Sequence, residues 1–187
     1  MLRLFIGIEL PLQIKHMLND ISETLKNRLD STARWVAKDN IHLTLKFLGD
    51  TPEDKVDAIE TAVEVAVQEF RKFYFTLGEM GAFPNARKAR VIWVGIYHGA
   101  PELVELGKAI EISLEPLGYK PELKELKPHI TLARLKVTKP VDEALSHIPP
   151  ETFPGRVINV DGLTIFESHL KPTGAEYTTL RYVNLNP

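Results

Sequence analysis

The sequence lacks several features that each belong to a particular class of function. It contains no cysteine, which excludes disulfide bonds, cysteine-based zinc sites and thiol catalysis. No apolar run approaches the roughly 20 residues that a membrane-spanning helix needs. The opening residues MLRLFIGIEL do not have the composition of a signal peptide. Because the net charge is only −2, the chain is not a strongly basic nucleic-acid coat protein, and we expect a cytoplasmic enzyme or binding protein without a membrane partner.

Several catalytic signatures are also absent. The chain has no glycine-rich phosphate-binding loop, no His-Glu-x-x-His motif and no serine nucleophile elbow. A metal site is an alternative for any pair of histidines. However, two histidines without cysteine or a carboxylate cluster fall short of a usual zinc ligand set. We therefore expect neither a metal nor another cofactor.

Two tetrapeptides of one pattern are present, HLTL at 42–45 and HITL at 129–132. A chain of this length and composition is expected to contain only about 0.05 copies of His-x-Thr-Leu. In a β-strand, alternate side chains share a face. Each tetrapeptide would then place its histidine and threonine on an open face and its two apolar residues in a core. The repetition indicates that the two tetrapeptides belong to one functional site.

The segments around the two tetrapeptides follow the same order of strand, helix, motif strand, helix and strand. We therefore predict one bilobal domain over residues 1–187 with an internal repeat of approximately 3–83 and 90–168. Its pseudo-two-fold axis would bring both motif strands to one cleft. The expected strands are 3–9, 34–36, 41–48, 73–77, 91–96, 129–135, 155–168 and 177–185; the expected helices are 11–30, 142–147 and two that begin at 52 and 101; a solvated, basic hairpin tip is expected at 81–89.

Two histidines on opposite sides of a pocket indicate concerted general acid–base catalysis. An imidazole has an unperturbed pKa near ~6.5, so one ring can act as a base while the other is protonated. Hydrolysis or transesterification of a phosphodiester needs both, together with donors for the non-bridging oxygens. The hydroxyls of Thr44 and Thr131 are suitable donors, and Arg134 or Lys46 would neutralise the phosphate charge. By strict alternation Lys46 lies in phase with its motif, whereas Arg134 points away from its own unless a bulge intervenes.

In their sequence context, RWVAKDNIHLTLKFLGD and KPHITLARL, the motifs resemble the paired His-x-Thr-x signatures of the 2H phosphoesterase superfamily. Within it they resemble the bacterial and archaeal RNA 2′,3′-cyclic phosphodiesterases, also called 2′-5′ RNA ligases. The C-terminal segment FESHLKPTGAEYTTLRYVNL is similar to the ending of that family. The resemblance implies a bilobal α+β fold, built from a pseudo-two-fold duplicated unit. Two antiparallel sheets would face a central cleft, with helices packed outside.

The resemblance also implies a metal-independent reaction that opens a terminal 2′,3′-cyclic phosphate to a 2′-phosphate. In that reaction His42 is the proton donor to the leaving 3′-oxygen, and His129 is the proton acceptor that activates water. Thr44, Thr131 and Arg134 are then the substrate-binding residues that hold the phosphate. The same groups would form a 2′-5′ linkage if an RNA 5′-hydroxyl replaced water, although we expect hydrolysis to dominate.

The expected partner is RNA with a 2′,3′-cyclic phosphate end, tRNA fragments included, and the protein is expected to act as a monomer. Two other functions fit the same residues. One is a phosphodiesterase for small cyclic nucleotides or sugar cyclic phosphates, and the other is a non-catalytic module that binds RNA ends. The aromatic candidates for stacking on a base are Phe47, Trp35 and Tyr177.

Overall fold

Two antiparallel sheets form the framework of the computed structural model, which describes residues 1–29, 33–172 and 174–187. The strands are β1 (Leu2–Glu9), β2 (Ala33–Trp35), β3 (His42–Thr51), β4 (Phe73–Phe83), β5 (Ala89–Ile96), β6 (His129–Lys139), β7 (Val157–Val160), β8 (Gly162–Lys171) and β9 (Gly174–Asn184). One sheet has the order β3-β1-β8-β9 and the other has the order β2-β6-β5-β4-β7. Neighbouring strands within both sheets run antiparallel.

Helices pack against the sheets through buried apolar faces. The helices are α1 (Leu12–Lys26), α2 (Val56–Val67), α3 (Ala100–Leu114) and the short α4 (Asp142–Leu145). In α1, the buried residues Ile14, Leu18, Ile21 and Leu25 recur every three or four positions, which places them on one face. Helix α2 contacts α3 and β9, α3 contacts β3, and α1 contacts β6. Within the described ranges, none of the helices has both the length and the hydropathy that a membrane span requires.

The predicted α+β class and the two antiparallel sheets are confirmed, while several predicted boundaries are wrong. Strand β4 continues to Phe83, so the hairpin tip is shorter than the predicted loop at 81–89 and contains only a 3₁₀ turn at Ala86–Lys88. The extension follows from cross-strand pairing, because Ala82 lies opposite Ile92. The single strand predicted at 155–168 is two strands, β7 and β8. The predicted helix over 11–30 is too long, because α1 ends at Lys26 and residues 27–29 form a turn and a bend; residue 30 itself lies outside the described residues.

The two motif strands lie beside each other where the two sheets meet. Cα atoms of β3 and β6 approach within 8 Å of one another. The chain reaches β3 from β2, which pairs with β6, and the backbone N–H of Val36 donates to the carbonyl of Leu132 at 2.8 Å. The two motif strands are therefore neighbours in the fold. The duplication itself, with its boundaries of 3–83 and 90–168, stays a prediction.

Candidate active site

Both tetrapeptides follow the expected strand alternation. Their apolar residues are buried, with exposed fractions of 5% or less: Leu43, Leu45, Ile130 and Leu132. Their polar residues are half-buried on the opposite face: His42, Thr44, His129 and Thr131. Each motif strand thus presents one imidazole and one hydroxyl on its open face.

A backbone carbonyl two residues upstream fixes each imidazole in the same tautomer. The Nδ1 atom of His42 lies 2.7 Å from the carbonyl oxygen of Asn40, and that of His129 lies 2.6 Å from the carbonyl oxygen of Lys127. A carbonyl can only accept a hydrogen bond, so Nδ1 carries the proton in both rings. The Nε2 atom of each neutral ring is then the one that can accept a proton. In His42, Nε2 lies 2.8 Å from the Thr44 hydroxyl oxygen.

The turn that holds His42 is clamped from two sides. Lys15, which is only 4% exposed, donates from Nζ to the carbonyl oxygen of Asp39 at 2.7 Å. The same ammonium group pairs with the Glu9 carboxylate. On the other side, the side-chain amide of Asn40 donates to the backbone carbonyl of Ala175 in β9. These bonds keep the carbonyl of Asn40 in place for His42.

His42 lies among aromatic rings, and this burial lowers the pKa of its imidazole. Its ring centroid is 4.7 Å from that of Phe5, 5.2 Å from that of Tyr177 and 5.7 Å from that of Phe166. Burial, with smaller contributions from the positive charges of Lys15 and Arg134, lowers the pKa of His42 from 6.5 to about 4, although the hydrogen bond to the Asn40 carbonyl opposes the change. At neutral pH, His42 is therefore a neutral imidazole.

His129 is also partly desolvated. The ring of Phe83 meets it edge-on at 4.9 Å, and the indole of Trp93 lies 6.3 Å away. Burial lowers the pKa of His129, the hydrogen bond to the Lys127 carbonyl raises it, and the charge of Arg134 lowers it again. A neutral His129 is suited to accept a proton at Nε2.

A β-bulge brings Arg134 to the same face as His129. The pairing of β5 with β6 steps from Ile92 opposite Ala133 to Trp93 opposite Thr131, so two residues of β6 are taken up by one of β5. Leu132 and Ala133 are consequently both buried, and the exposed Arg134 returns to the phase of the motif. Strict alternation was therefore the wrong rule at this point. The positive charge of Arg134 contributes a lowering of the pKa to each of His42, His129 and Tyr177, as expected for a guanidinium on this face.

An equivalent bulge removes Lys46 from the candidate site. In β3 the pairing steps from Lys46 opposite Ile6 to Thr44 opposite Gly7, and Leu45 and Lys46 are both buried. The Lys46 ammonium pairs with Glu111 of α3 at 2.8 Å and donates to the carbonyl oxygen of Lys120 at 2.9 Å. The expectation that Lys46 shares a face with His42 is thus wrong. Its charge is neutralised by the helix layer on the other side of the sheet.

Two aromatic residues that the sequence reasoning missed form a shelf beside His129. The Phe83 and Trp93 rings lie 5.0 Å apart, and the indole lies over two glycines in the neighbouring backbone. A Cβ on Gly81 would overlap the indole, and one on Gly95 would be 3.1 Å from it. The indole Nε1 of Trp93 is buried and has no hydrogen-bond partner among the described residues. A Trp two residues before a Gly in one strand was the available signal.

The predicted stacking residues are distributed differently. Tyr177 lies in the cleft beside His42, and burial raises the pKa of its phenol, while Arg134 and Arg3 lower it. Trp35 is opposite the buried Ala133 and therefore faces away from the cleft. Phe47 is 59% exposed, 5.9 Å from Phe5. In the part of the chain that is described, no group of three or more His, Cys, Asp or Glu side chains is arranged to hold a metal ion.

The chain is similar to a known family of phosphoesterases in both sequence and structure. A family model described as LigT like Phosphoesterase matches residues 8–93 and 95–177. A relative from Methanothermobacter thermautotrophicus named RNA 2′,3′-cyclic phosphodiesterase is 30% identical over 186 residues, which is 98% of both chains. One of the same name from Thermotoga maritima is 34% identical over 179 residues, covering 96% of this chain and 93% of the relative. The crystal structure of E. coli LigT complexed with 3′-AMP has a TM-score of 0.80 at 26% identity, covering 100% and 99% of the two chains.

Proposed function

Since the chain belongs to the LigT-like phosphoesterase family, we propose that it hydrolyses 2′,3′-cyclic phosphate ends of RNA to 2′-phosphomonoesters. The relatives named RNA 2′,3′-cyclic phosphodiesterase support the substrate. The observation that carries the mechanism is the matched pair of imidazoles. Both are held with Nδ1 on a backbone carbonyl, and the charge of Arg134 acts on both.

The reaction needs one proton acceptor and one proton donor. Nε2 of His129 takes a proton from water as the water oxygen bonds to phosphorus. The bond between phosphorus and the 3′-oxygen breaks, and Nε2–H of His42 gives its proton to that oxygen. The product carries a 3′-hydroxyl and a 2′-phosphate, and the two imidazoles have exchanged protonation states. Proton exchange with water restores them.

Binding of the negatively charged substrate favours the protonated form of His42. With a pKa of about 4, its imidazole is neutral at pH 7 before an anion binds. An anionic phosphodiester within a few ångströms favours the charged form and raises the pKa. His42 is therefore protonated, and able to donate, when the cyclic phosphate binds.

Thr44, Thr131 and Arg134 hold the phosphate in this proposal. The two hydroxyls lie on the same strand faces as the two imidazoles and donate to the non-bridging oxygens. The guanidinium of Arg134 has no ion-pair partner in the described part of the chain, so it is available for a phosphate. Both histidines come from one chain, which supports action by a monomer.

Hydrolysis in the presence of excess chelator tests the proposal. Wild type should convert an RNA with a 2′,3′-cyclic phosphate end to the 2′-phosphate isomer, identified by chromatography against both isomers. His42→Ala and His129→Ala should each lower the rate by about 10²–10⁴. The matched control is His147→Ala, because His147 is exposed and its Nδ1 lies 2.8 Å from the carbonyl oxygen of Glu143 in its own helical turn. Full activity in either cleft variant would contradict the two-histidine mechanism.

Ligation through the same groups is the minor reaction that we propose. An RNA 5′-hydroxyl would replace water as the nucleophile and give a 2′-5′ linkage, tRNA fragments being one source of such ends. Because water is abundant and a second strand must be held in place, hydrolysis should be faster. A purified protein that joined such ends faster than it hydrolysed the cyclic phosphate would overturn this order.

A further inference from the structure

Strand β2 places a second arginine directly beside Arg134. In the antiparallel pairing of β2 with β6, Arg34 lies opposite Arg134. Residues directly opposite in such a pair share a face, with Cβ atoms about 5 Å apart. Like charges in that arrangement are destabilising. Two guanidinium groups therefore emerge side by side on the cleft face at the edge of the five-stranded sheet, and the fold gains no stability from their pairing.

Neither guanidinium is neutralised by the protein. Both arginines are exposed, and neither has a carboxylate within ion-pair distance in the described ranges. The chain does pair other arginines, because Arg181 lies 2.9 Å from Glu60 and 3.2 Å from Asp57. Two adjacent arginines without carboxylate partners are suited to bind anions, and each guanidinium can donate two hydrogen bonds to two oxygens of a phosphate.

The two arginines lie on different strands of the sheet. Arg134 lies on β6, which also carries His129, whereas Arg34 lies on β2, the strand at the edge of the same sheet. Arg34 is therefore the outer member of the pair. The exposed Lys136, which is separated from Arg134 by the buried Leu135, extends the positive charge along the same face.

We propose that Arg34 binds the phosphodiester that precedes the terminal nucleotide of an RNA strand while Arg134 holds the terminal cyclic phosphate. This inference rests on the proposed function and deepens it. Two long side chains on adjacent strands reach successive phosphates of one strand without reading base sequence. The protein then prefers an oligonucleotide end to a cyclic mononucleotide, because only the oligonucleotide carries the second phosphate.

Two substrates and one substitution test the proposal. The substrates are adenosine 2′,3′-cyclic phosphate and a trinucleotide ending in a 2′,3′-cyclic phosphate, and the variant is Arg34→Gln. For the trinucleotide, kcat/KM should fall about tenfold, as expected for one charge-assisted phosphate contact, and the slope of its logarithm against log salt should become shallower by about 0.7. For the mononucleotide, kcat/KM should stay within about twofold of wild type. Arg71→Gln, which removes an exposed arginine elsewhere on the surface, is the matched control and should leave both substrates unchanged.

Each other result overturns the assignment of Arg34. An equal loss for both substrates would place Arg34 on the terminal phosphate or in the folding of the cleft, and no loss for either would exclude a contact. Affinity for a trinucleotide ending in a 2′-phosphate, measured by fluorescence anisotropy, tests the same contact without turnover. Arg34→Gln should weaken that affinity by the same factor, and an unchanged affinity refutes the subsite. Failure of wild type to turn over either substrate would refute the proposed function while leaving the affinity test decisive for Arg34.

Discussion

The low pKa of His42 should make the folded protein sensitive to mild acid. Burial holds the pKa near 4 in the folded chain, against an ordinary value of 6.5. Between these values the unfolded chain binds a proton that the folded chain does not bind. Lowering the pH through this window therefore favours unfolding, and the contribution of neutral His42 to stability is complete only above pH 6.5.

The size of the effect follows from the two pKa values. Between pH 7 and pH 5, protonation of the unfolded chain at this one position lowers the free energy of unfolding by about 2 kcal/mol. The full loss, reached below pH 4, is about 3 kcal/mol. Other groups also titrate in this range, so the wild-type slope alone does not isolate His42.

Urea unfolding of wild type and one variant separates the contribution of His42 from that of the other titrating groups. The free energy of unfolding is measured at pH 7 and pH 5 for wild type and His42→Asn. The variant should lose about 2 kcal/mol less than wild type over this interval, whatever its stability at pH 7. His147→Asn controls for the removal of an imidazole as such. An equal loss in wild type and His42→Asn would refute the claim that burial in the aromatic cluster suppresses protonation of His42.

Three further changes have defined outcomes. Arg134→Gln should raise the pKa of both cleft histidines in NMR titrations, because its charge lowers them, and should reduce kcat/KM for the cyclic phosphate about 10²-fold. Gly81→Ala should displace the indole of Trp93 and cost about 1–3 kcal/mol in urea unfolding; a fully stable variant would contradict the seating of the indole on glycine. Lys46→Met should lower stability by about 2 kcal/mol by leaving the partly buried Glu111 unpaired, yet keep kcat, since Lys46 faces away from the cleft; a lost kcat with intact folding would return Lys46 to the site.

Strict alternation of side chains predicted the faces of both tetrapeptides correctly, because each strand is regular over those four residues. The same rule gave the wrong face for the next residue in each strand. The bulges at Lys46 and at Ala133 arise in the register with β1 and β5, and a single-strand pattern does not encode its partner. As a result, strict alternation put Lys46 on the same face as its motif and Arg134 on the opposite face, whereas the structure has the reverse. Arg134 was predicted as a phosphate ligand from the family resemblance and not from alternation.

The aromatic shelf could not be assembled from the sequence for a related reason. It depends on β4 reaching Phe83, and a segment with Gly81, Pro84 and Asn85 has the composition of a turn. Pairing with β5 nevertheless continues β4 through this turn-like segment. This pairing places the indole of Trp93 over Gly81, which has no side chain to obstruct it. The apolar strands and amphipathic helices were predictable because their signal is local, and the shelf was not because its signal lies in cross-strand contacts.

The two motifs have the same pattern but different surroundings, and this difference favours the assignment of donor and acceptor roles. The turn before His42 is clamped by Lys15 and Asn40, and the ring lies among Phe5, Phe166 and Tyr177. Its counterpart His129 takes its carbonyl partner from an exposed stretch. A deeply desolvated imidazole is charged only when an anion accompanies it, so its proton is present when the cyclic phosphate is present. A less desolvated imidazole is more accessible to water, which is the molecule that the proposed base activates. We therefore propose that the difference in burial makes His42 the acid and His129 the base.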